Sequence, residues 1–421
     1  MTERPDGRTS GYRWYVLAIL VCVYMTHHLD RVVFSLLQEP IKKEFHLSDS
    51  ELALVSGTVF AIAFGIAGLP VGHLADRTRR IPLLSFIIAV WSGLTAMASF
   101  STSLLQLLLV RVGIGVAESG STPTNLSLIS DYFQTKRSTA IGIYLMGSQI
   151  GTLVGFAVTG IVAAHYGWRA GLLTAGLPGF FLILLLLLTV REPPRQAAYV
   201  KASLVQGVKQ IGANPVLVHL IAATTIVNVV APGISLWLPS LLMRSGGADI
   251  GWTGMAIGFV TAPVGIVGTL LAGIVAEKMG ARRPAGLIRL MAMLAFLYIP
   301  AILLAVSSGP YIMLLGFCIH LFCHMCVSTP GYALSMNMSP PHLRGTTGAV
   351  LQVLSNLLGF GVGPMVGGVL SDLLRPQFGA DSLRYALGIF VFLSLWAVWH
   401  LLRAAKLLSR GADLSAQAAP V

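Results

Sequence analysis

The sequence predicts an all-α membrane protein whose twelve transmembrane helices form two six-helix bundles. Three observations support this fold class: the composition, the long apolar runs and a duplicated polar loop. Of the 421 residues, 55% are hydrophobic and 10% are charged, and the mean hydropathy is +0.79. Soluble domains have about 25% charged residues. The composition therefore excludes a soluble fold.

The apolar runs are long enough to cross a bilayer, which takes about 17 to 25 residues in a helix. They place spans at 13–38, 49–71, 82–101, 104–131, 139–164, 169–190, 214–243, 251–276, 285–307, 310–338, 345–372 and 383–403. The first run is followed by further spans and lacks the pattern of a cleaved signal peptide. We therefore expect it to stay in the mature protein.

A polar loop occurs after the second span and again after the eighth. Each copy has a glycine, an acid four positions later and a base directly after the acid: Gly72, Asp76 and Arg77, and, 201 positions later, Gly273, Glu277 and Lys278. A repeat at about half the chain length indicates a duplicated membrane protein. Asp76 and Glu277 are acidic although the residues around them are mostly basic. We therefore expect them to take part in a gate on the side of the membrane where the two loops lie.

The duplication predicts five parts of the chain. These are a tail at 1–12, a six-helix bundle at 13–190, a linker at 191–213, a second bundle at 214–403 and a tail at 404–421. The linker begins with a charged, proline-containing stretch, and a short amphipathic helix is expected near 199–212.

The distribution of Lys and Arg predicts the orientation. Twenty of these residues lie in segments on the side of the termini, and six lie in the opposite loops. The positive-inside rule therefore places both termini in the cytoplasm. The formal charge of +12 follows from this topology and from contact with anionic lipid, so no nucleic-acid partner is needed. Arg79, Arg80, Arg282 and Arg283 are interpreted as such topology markers.

Four ionisable residues interrupt the first and fourth spans: Asp30, Arg31, Arg111 and Glu118. Charges at such depths cost several kcal/mol unless they face a cavity or each other, so they are functional candidates. Arginine stays charged, whereas a carboxylate in a low-dielectric cavity can take up a proton. Asp30 and Glu118 are the predicted proton carriers, and Arg31 and Arg111 the predicted anchors of an anionic headgroup. A purely structural ion-pair cluster is the alternative.

Other polar residues within the spans are candidates for lining a central cavity or for hydrogen bonds between helices. They are Asn125, Tyr144, Gln149, Asn228, His324 and Asn356. His27 and His28 lie one turn before Asp30 and either tune that acid or pack.

The tenth span interleaves His320 and His324 with three cysteines, a pattern that superficially suggests a soft-metal site. No carboxylate joins it, and cysteine is an ordinary small residue in helices. We expect no metal and no cofactor. Gly147, Gly151 and Gly155 in the fifth span are expected to let helices approach closely.

The layout and the loops together resemble the major facilitator superfamily over essentially the whole chain. Further segments resemble the spinster-type lipid transporters and their bacterial relatives: Asp30-Arg31, Arg111 with Glu118, Asp131-Tyr132-Phe133 with Arg137-Ser138-Thr139-Ala140, and 356–364 through Ser371-Asp372. One departure is Thr78-Arg79, where the family usually has a glycine.

The buried charges and the duplicated bundles predict a proton-coupled transporter that works by alternating access. The spinster resemblance implies that its substrate is an amphipathic lipid, such as a lysophospholipid or a sphingosine-phosphate-like molecule. A symporter of small organic anions, such as sugar acids or aromatic acids, and a multidrug exporter are the alternatives. An enzyme is not expected, because no nucleophile or metal constellation stands out. A channel is disfavoured by the two gate loops. The expected setting is a monomer in a bacterial inner membrane, driven by the proton gradient, with substrate, protons and membrane lipid as its partners.

Overall fold

The computed structural model describes residues 10–194, 204–280, 282–340 and 343–417. These residues are helical throughout, apart from short connections, and contain no β-strand. The helices of the first half are α1 Ser10–Leu36, α2 Gln38–Phe45, α3 Asp49–Ala53, α4 Val59–Arg77, α5 Arg80–Ala98, α6 Leu104–Glu118, α7 Ser121–Tyr132 and α8 Arg137–Thr189.

The second half continues with α9 Leu204–Gly212, α10 Pro215–Ser235, α11 Leu238–Arg244, α12 Ile250–Ala256, α13 Ala262–Gly280, α14 Pro284–Phe296, α15 Tyr298–Ala305, α16 Pro310–Met338, α17 Arg344–Leu354, α18 Gly363–Phe378, α19 Ser382–Gly388 and α20 Phe390–Gln417. Among the described residues, three π-helical stretches join helices, at Leu54–Thr58, Ile257–Thr261 and Ser355–Val362. The predicted linker helix corresponds to α9, and residues 195–203 lie outside the described residues.

Within the described residues, ten helical segments are long and apolar enough to cross a membrane. Two of them are much longer than one crossing needs, with 51 residues at Thr139–Thr189 and 65 at Thr346–Arg410. Each contains a glycine with positive φ, Gly167 at 81° and Gly379 at 56°, where the chain turns between two predicted spans. The twelve predicted spans are consistent with these ten segments.

The helices expose many large apolar side chains. Ile66 is 73% exposed and Leu188 is 80% exposed. A water-facing helix would carry polar residues at such positions. Together with the length of the helices, this surface fits a hydrocarbon environment and confirms the all-α membrane class.

Several helices begin at residues whose side chains satisfy free backbone N–H groups. Asn214 Oδ1 accepts hydrogen bonds from the N–H groups of Val216 and Leu217 at 3.1 and 3.2 Å. Ser48 and Glu51 form a reciprocal capping box at the start of α3. Local sequence therefore decides where α10 and α3 start.

The chain forms two compact units. Unit 1 contains the described residues of Met1–Leu47, Leu54–Ala198 and Asp249–Ala262. Unit 2 contains those of Ser48–Ala53, Tyr199–Ala248 and Pro263–Val421. The boundary at residue 54 coincides with the start of one π-helical stretch, and the boundary at 262 directly follows another.

In unit 1, α1 packs closely on α8 at the predicted glycine positions. A Cβ added to Gly147 would lie 2.8 Å from the carbonyl oxygen of Val21, and one added to Gly151 would overlap the carbonyl of Met25. Only glycine permits this approach of the two backbones. The close packing positions the polar residues of α1 against the rest of the unit.

Arg80 also takes part in a buried ion-pair cluster, which its interpretation as a topology marker does not predict. Its side chain is 1% exposed and forms ion pairs with Asp131 and, at 2.8 Å, with Glu192. It also donates hydrogen bonds to Ser127 and to the carbonyl of Pro193. A hydropathy pattern reports that a base ends a span, but not that two acids from distant segments enclose it.

In unit 2, one acidic cluster holds the short helix α3. Asp372 accepts hydrogen bonds from the backbone N–H groups of Asp49 and Ser50, both at 2.8 Å. Asp49 in turn accepts a hydrogen bond from Ser371 at 2.6 Å and forms an ion pair with Arg244. The carboxylate of Asp372 therefore caps α3 at its positive end.

Candidate transport site

Glu118 is the last residue of α6, and its side chain is fully buried in unit 1. Its Oε2 atom lies 3.1 Å from His27 Nε2 and accepts a hydrogen bond from Arg31 Nε at 3.3 Å. Its Oε1 atom has no hydrogen-bond partner among the described residues. The partial negative charge of a helix C-terminus adds to the cost of an ionised carboxylate there, and His27 and Arg31 offset that cost.

Arg31 is the least buried member of this group, with 12% of its side chain exposed. Its guanidinium lies over the rings of Phe60 and Phe64, 4.9 Å from each centroid. Such a position combines a cation with an aromatic surface. It suits a ligand that has an anionic group next to an apolar part.

Arg111 is bound to backbone carbonyls, which the sequence does not predict, and its role as a headgroup anchor remains a prediction. Its side chain is 1% exposed, and it donates hydrogen bonds to the carbonyl oxygens of Val55 and Ser56 at 2.8 and 2.9 Å. Those carbonyls belong to the π-helical stretch Leu54–Thr58, where the widened turn changes the helical hydrogen bonding. Arg111 also lies over the ring of Phe34, 4.4 Å from its centroid. It therefore holds the backbone next to the site.

Asp30 is 1% exposed, and the hydroxyl of Thr95 lies beside its carboxyl group. Its Oδ1 atom has no hydrogen-bond partner within the described part of the chain. Burying a carboxylate in its charged form costs far more free energy than burying the neutral acid. The role of Asp30 as a proton carrier remains a prediction.

Asn125 and Tyr144 are both fully buried, and Asn125 Nδ2 donates a hydrogen bond to Tyr144 Oη at 3.2 Å. Tyr24 connects them to the charged group, because its ring lies 4.5 Å from that of Tyr144 and 5.7 Å from that of His27. Gln149, on the same helix as Tyr144, is partly buried. The structure thus connects two of the predicted cavity residues to Glu118 through Tyr24 and His27.

The remaining cavity candidates lie in unit 2. Asn228 accepts a hydrogen bond from Ser328 at 3.2 Å, and His324 Nδ1 lies 3.5 Å from Tyr298 Oη. Asn356 lies in the π-helical stretch Ser355–Val362 and donates its side-chain hydrogen bond to a backbone carbonyl of its own helix. Local hydrogen bonds of this kind fit either a cavity lining or helix packing.

The predicted gate residues lie at the ends of α4 and α13. Glu277 and Lys278 are exposed, Gly273 is half-buried, and a Cβ on either Gly72 or Gly273 would meet nothing within 4 Å. Arg77 is exposed, whereas the side chain of Asp76 lies outside the described residues. Their role in a gate remains a prediction.

Among the described residues, no group of three or more His, Cys, Asp and Glu side chains is arranged to hold a metal ion. In α2, between the first two predicted spans, Glu44 accepts hydrogen bonds from Arg169 at 2.6 Å and from the indole of Trp168 at 2.7 Å. The Arg169 hydrogen bond holds the pKa of Glu44 below its usual value. That ion pair is exposed and lies away from the buried site.

Comparison with known proteins identifies the family. The model of the Major Facilitator Superfamily matches residues 20–360. An "MFS-type efflux pump" of Mycolicibacterium smegmatis is 26% identical over 394 residues, which cover 93% of this chain and 92% of that protein. "Protein spinster homolog 1" of Xenopus tropicalis is 27% identical over 443 residues, which cover 93% of this chain and 83% of that protein.

A solved structure supports the same assignment. The bacterial homologue of the human lysosomal transporter spinster, in an inward-facing and unoccupied conformation, superimposes with a TM-score of 0.83 at 26% identity. The match covers 95% of this chain and 98% of that one. The predicted fold and the predicted resemblance to the spinster proteins are both confirmed. The chain belongs to the Major Facilitator Superfamily, as a multi-pass membrane transporter related to the spinster proteins.

Proposed function

We propose that this transporter is proton-coupled, works by alternating access and carries an amphipathic lipid with an anionic or zwitterionic headgroup. A lysophospholipid or a sphingosine-phosphate-like molecule has this chemistry. The observation that carries the proposal is the contact of the fully buried Glu118 with both His27 and Arg31. When Glu118 is ionised, its carboxylate competes with any anionic ligand for the guanidinium of Arg31.

Coupling follows from this competition. Ionised Glu118 and an anionic headgroup both favour the guanidinium of Arg31. Protonation of Glu118 removes one of the two competitors, so proton binding and substrate binding change each other's affinity by the same factor. Asp30 lies one residue before Arg31 and is a second group that can hold a proton in this region.

The aromatic surface next to Arg31 supports a substrate with an apolar part. Phe60 and Phe64 lie under the guanidinium, and Tyr24 and Tyr144 form a second aromatic pair in unit 1, with 4.5 Å between their centroids. The resemblance to the spinster-type transporters supports a lipid with these two features. Within the described part of unit 2, the predicted cavity positions Asn228, His324 and Asn356 include no carboxylate, lysine or arginine, so an apolar tail would meet no fixed charge at them.

The duplicated loops support alternating access. Asp76 and Glu277 each precede a base at the end of a span, and such carboxylates form charge-assisted contacts that can break in one conformation. We propose that these two loops close the side of the membrane on which both termini lie.

Two other kinds of transport are alternatives to lipid transport. Similarity to an MFS-type efflux pump supports export of drug-like molecules as the second candidate. Symport of sugar acids or aromatic acids would also use Arg31 as the anion anchor. We further propose that the protein acts as a monomer in a bacterial inner membrane, with cytoplasmic termini and no cofactor besides the proton gradient.

The test is uptake into vesicles that contain the purified protein. A pH gradient would be imposed, and uptake would be measured for a long-chain lysophospholipid, a short-chain analogue with the same head, a sugar acid and a lipophilic cation. We expect gradient-driven uptake of the long-chain lysophospholipid that falls as the chain is shortened. Uptake of the sugar acid or of the cation alone would replace the lipid proposal with symport or drug export.

A further inference from the structure

Helix α5 contributes two residues to the site that no charge pattern in the sequence indicates. Trp91 and Thr95 are both 0% exposed in unit 1. The ring of Trp91 meets that of His27 edge to face, with 5.8 Å between centroids. The Thr95 hydroxyl lies next to the carboxyl group of Asp30.

Both side chains end in buried polar atoms whose hydrogen-bonding capacity the described residues do not fill. Trp91 Nε1 forms no hydrogen bond with a described residue, and the Thr95 hydroxyl, beside the Asp30 carboxyl group, can form a further one. A neighbouring set of buried atoms also lacks hydrogen-bond partners among the described residues. It consists of Asp30 Oδ1, His27 Nδ1, Glu118 Oε1 and Arg111 Nη1.

These atoms belong to residues that are joined by contacts. Thr95 lies beside Asp30, Asp30 is one helical turn from His27, and His27 touches both Trp91 and Glu118. An isolated buried polar atom without a partner costs about 1–3 kcal/mol. Such a cost is avoided where an ordered water makes 2–4 hydrogen bonds to the surrounding groups.

We propose that Thr95 and Trp91 hold an ordered water cluster that carries protons between Asp30 and Glu118. The inference rests on the proposed proton coupling and adds the path that the proton takes between the two acids. A proton leaves the Asp30 carboxyl for a water, and the water releases one of its own protons toward the Glu118 carboxylate, so that one acid is deprotonated and the other protonated. No bond other than these O–H bonds changes.

The donor and acceptor types fit this role. The indole N–H of Trp91 can only donate, so it orients a water oxygen toward itself. The Thr95 hydroxyl both donates and accepts, and can therefore join a water to Asp30 in either protonation state. Trp91 and Thr95 act through water and the two acids, so they are positioning residues.

The experiment compares four variants of the full-length protein in vesicles. Thr95→Val keeps the shape and removes the hydroxyl, Thr95→Ser restores it, and Trp91→Phe removes the indole N–H. Ser85→Ala is the control, because Ser85 is also buried and without a partner, but lies about 15 Å along the same helix. Each variant is measured for pH-driven uptake and for substrate exchange without a gradient.

We expect the ratio of driven uptake to exchange to fall about tenfold in Thr95→Val and Trp91→Phe, since one lost hydrogen bond in the route raises the barrier by an amount of that order. Thr95→Ser and Ser85→Ala should keep the ratio of the unaltered protein. An unchanged ratio in Thr95→Val would overturn the inference. Exchange serves as the check that each variant is folded.

An infrared measurement decides the inference even if transport is not proton-driven. The carboxyl C=O band of protonated Asp30 is identified as the band that Asp30→Asn lacks. Thr95→Val should shift this band to a frequency typical of fewer hydrogen bonds, and Ser85→Ala should leave it in place. No shift in Thr95→Val would contradict the hydroxyl's role. Absence of driven uptake in the unaltered protein would contradict only the proposed coupling.

Discussion

Asp49 and Arg244 form a two-point ion pair although 195 positions separate them in the chain. Arg244 Nη2 lies 2.6 Å from Asp49 Oδ1, and Arg244 Nη1 lies 2.8 Å from Asp49 Oδ2. The Asp49 side chain is 1% exposed and that of Arg244 is 13% exposed. With Ser371 and Asp372, this pair holds α3 in unit 2. The start of the second predicted span is therefore fixed by a residue directly after the seventh span and by two residues at the end of the eleventh.

Removal of the Asp49 charge should destabilise the protein strongly. Asp49→Asn leaves Arg244 without its carboxylate, and breaking a buried ion pair costs about 3–5 kcal/mol. We expect the unfolding temperature of the purified protein to fall by several degrees. The control is Glu44→Gln, because the Glu44–Arg169 pair is 40% exposed on both sides and is worth about 1 kcal/mol or less. Equal shifts for the two variants would show that the Asp49 pair is not a structural clamp.

Arg31 and Arg111 should differ in their effect on ligand charge. Arg31→Gln removes the cation nearest Glu118 and should weaken binding of an anionic ligand about tenfold more than binding of a neutral analogue, because only the anion loses a charge-assisted hydrogen bond. Arg111→Gln should weaken binding of the anionic and the neutral ligand alike, because Arg111 donates its hydrogen bonds to the backbone carbonyls of Val55 and Ser56 and not to the ligand. Binding titrations with a matched anionic and neutral pair check this difference.

Hydrogen exchange provides a second measurement on the same pair of variants. Exchange across 54–58 should rise in Arg111→Gln and remain unchanged in Arg31→Gln. If Arg111→Gln loses the preference for the anionic ligand while hydrogen exchange at 54–58 stays normal, the anion binds at Arg111 instead.

The contact between α1 and α8 should tolerate no side chain at Gly151. A Cβ there overlaps the carbonyl of Met25, and overpacking of this kind costs about 1–3 kcal/mol. Gly142→Ala on the same helix is the control, since a Cβ at Gly142 meets nothing within 4 Å and alanine favours helix. The unfolding temperature should fall in Gly151→Ala and should not fall in Gly142→Ala. The reverse order would contradict the close packing.

The Arg80 cluster should make stability depend on pH in the acid range. Burial opposes ionisation of Glu192, but hydrogen bonds from Arg80 and from the backbone N–H of Ile81 outweigh it and hold the pKa of Glu192 below its usual value of 4.5. The folded protein therefore binds this proton less readily than the unfolded chain. The contribution of ionised Glu192 to the free energy of unfolding is complete above pH 4.5. It is lost as the pH falls through the lower pKa that Glu192 has in the folded protein.

The variant Glu192→Gln tests that dependence. It should unfold at a lower temperature than the unaltered protein at pH 7, and the difference between the two should shrink as the pH is lowered below about 4.5. Unfolding temperatures measured from pH 7 to pH 3.5 give this comparison. A difference that stays constant over the whole range would mean that Glu192 gains no stability from Arg80.

The sequence predicts the fold class and the family well, because apolar length, charge asymmetry and a repeated loop are properties of single segments. It also identifies Arg31 and Glu118, which stand out as charges in apolar spans. It does not show that Arg111 holds backbone carbonyls, because hydropathy carries no sign of a π-helical turn. Trp91 and Thr95 are missed for a related reason: an indole and a hydroxyl look ordinary in an apolar helix until their neighbours from other helices are known.

The most direct test of the central proposal is pH-driven uptake by Glu118→Gln in vesicles, measured beside exchange without a gradient. Glutamine resembles a permanently protonated acid, so substrate should still exchange, while a pH gradient should no longer drive accumulation. Glu44→Gln, which removes an exposed acid, should behave as the unaltered protein does. If Glu118→Gln keeps full gradient-driven uptake, Glu118 is not the proton carrier.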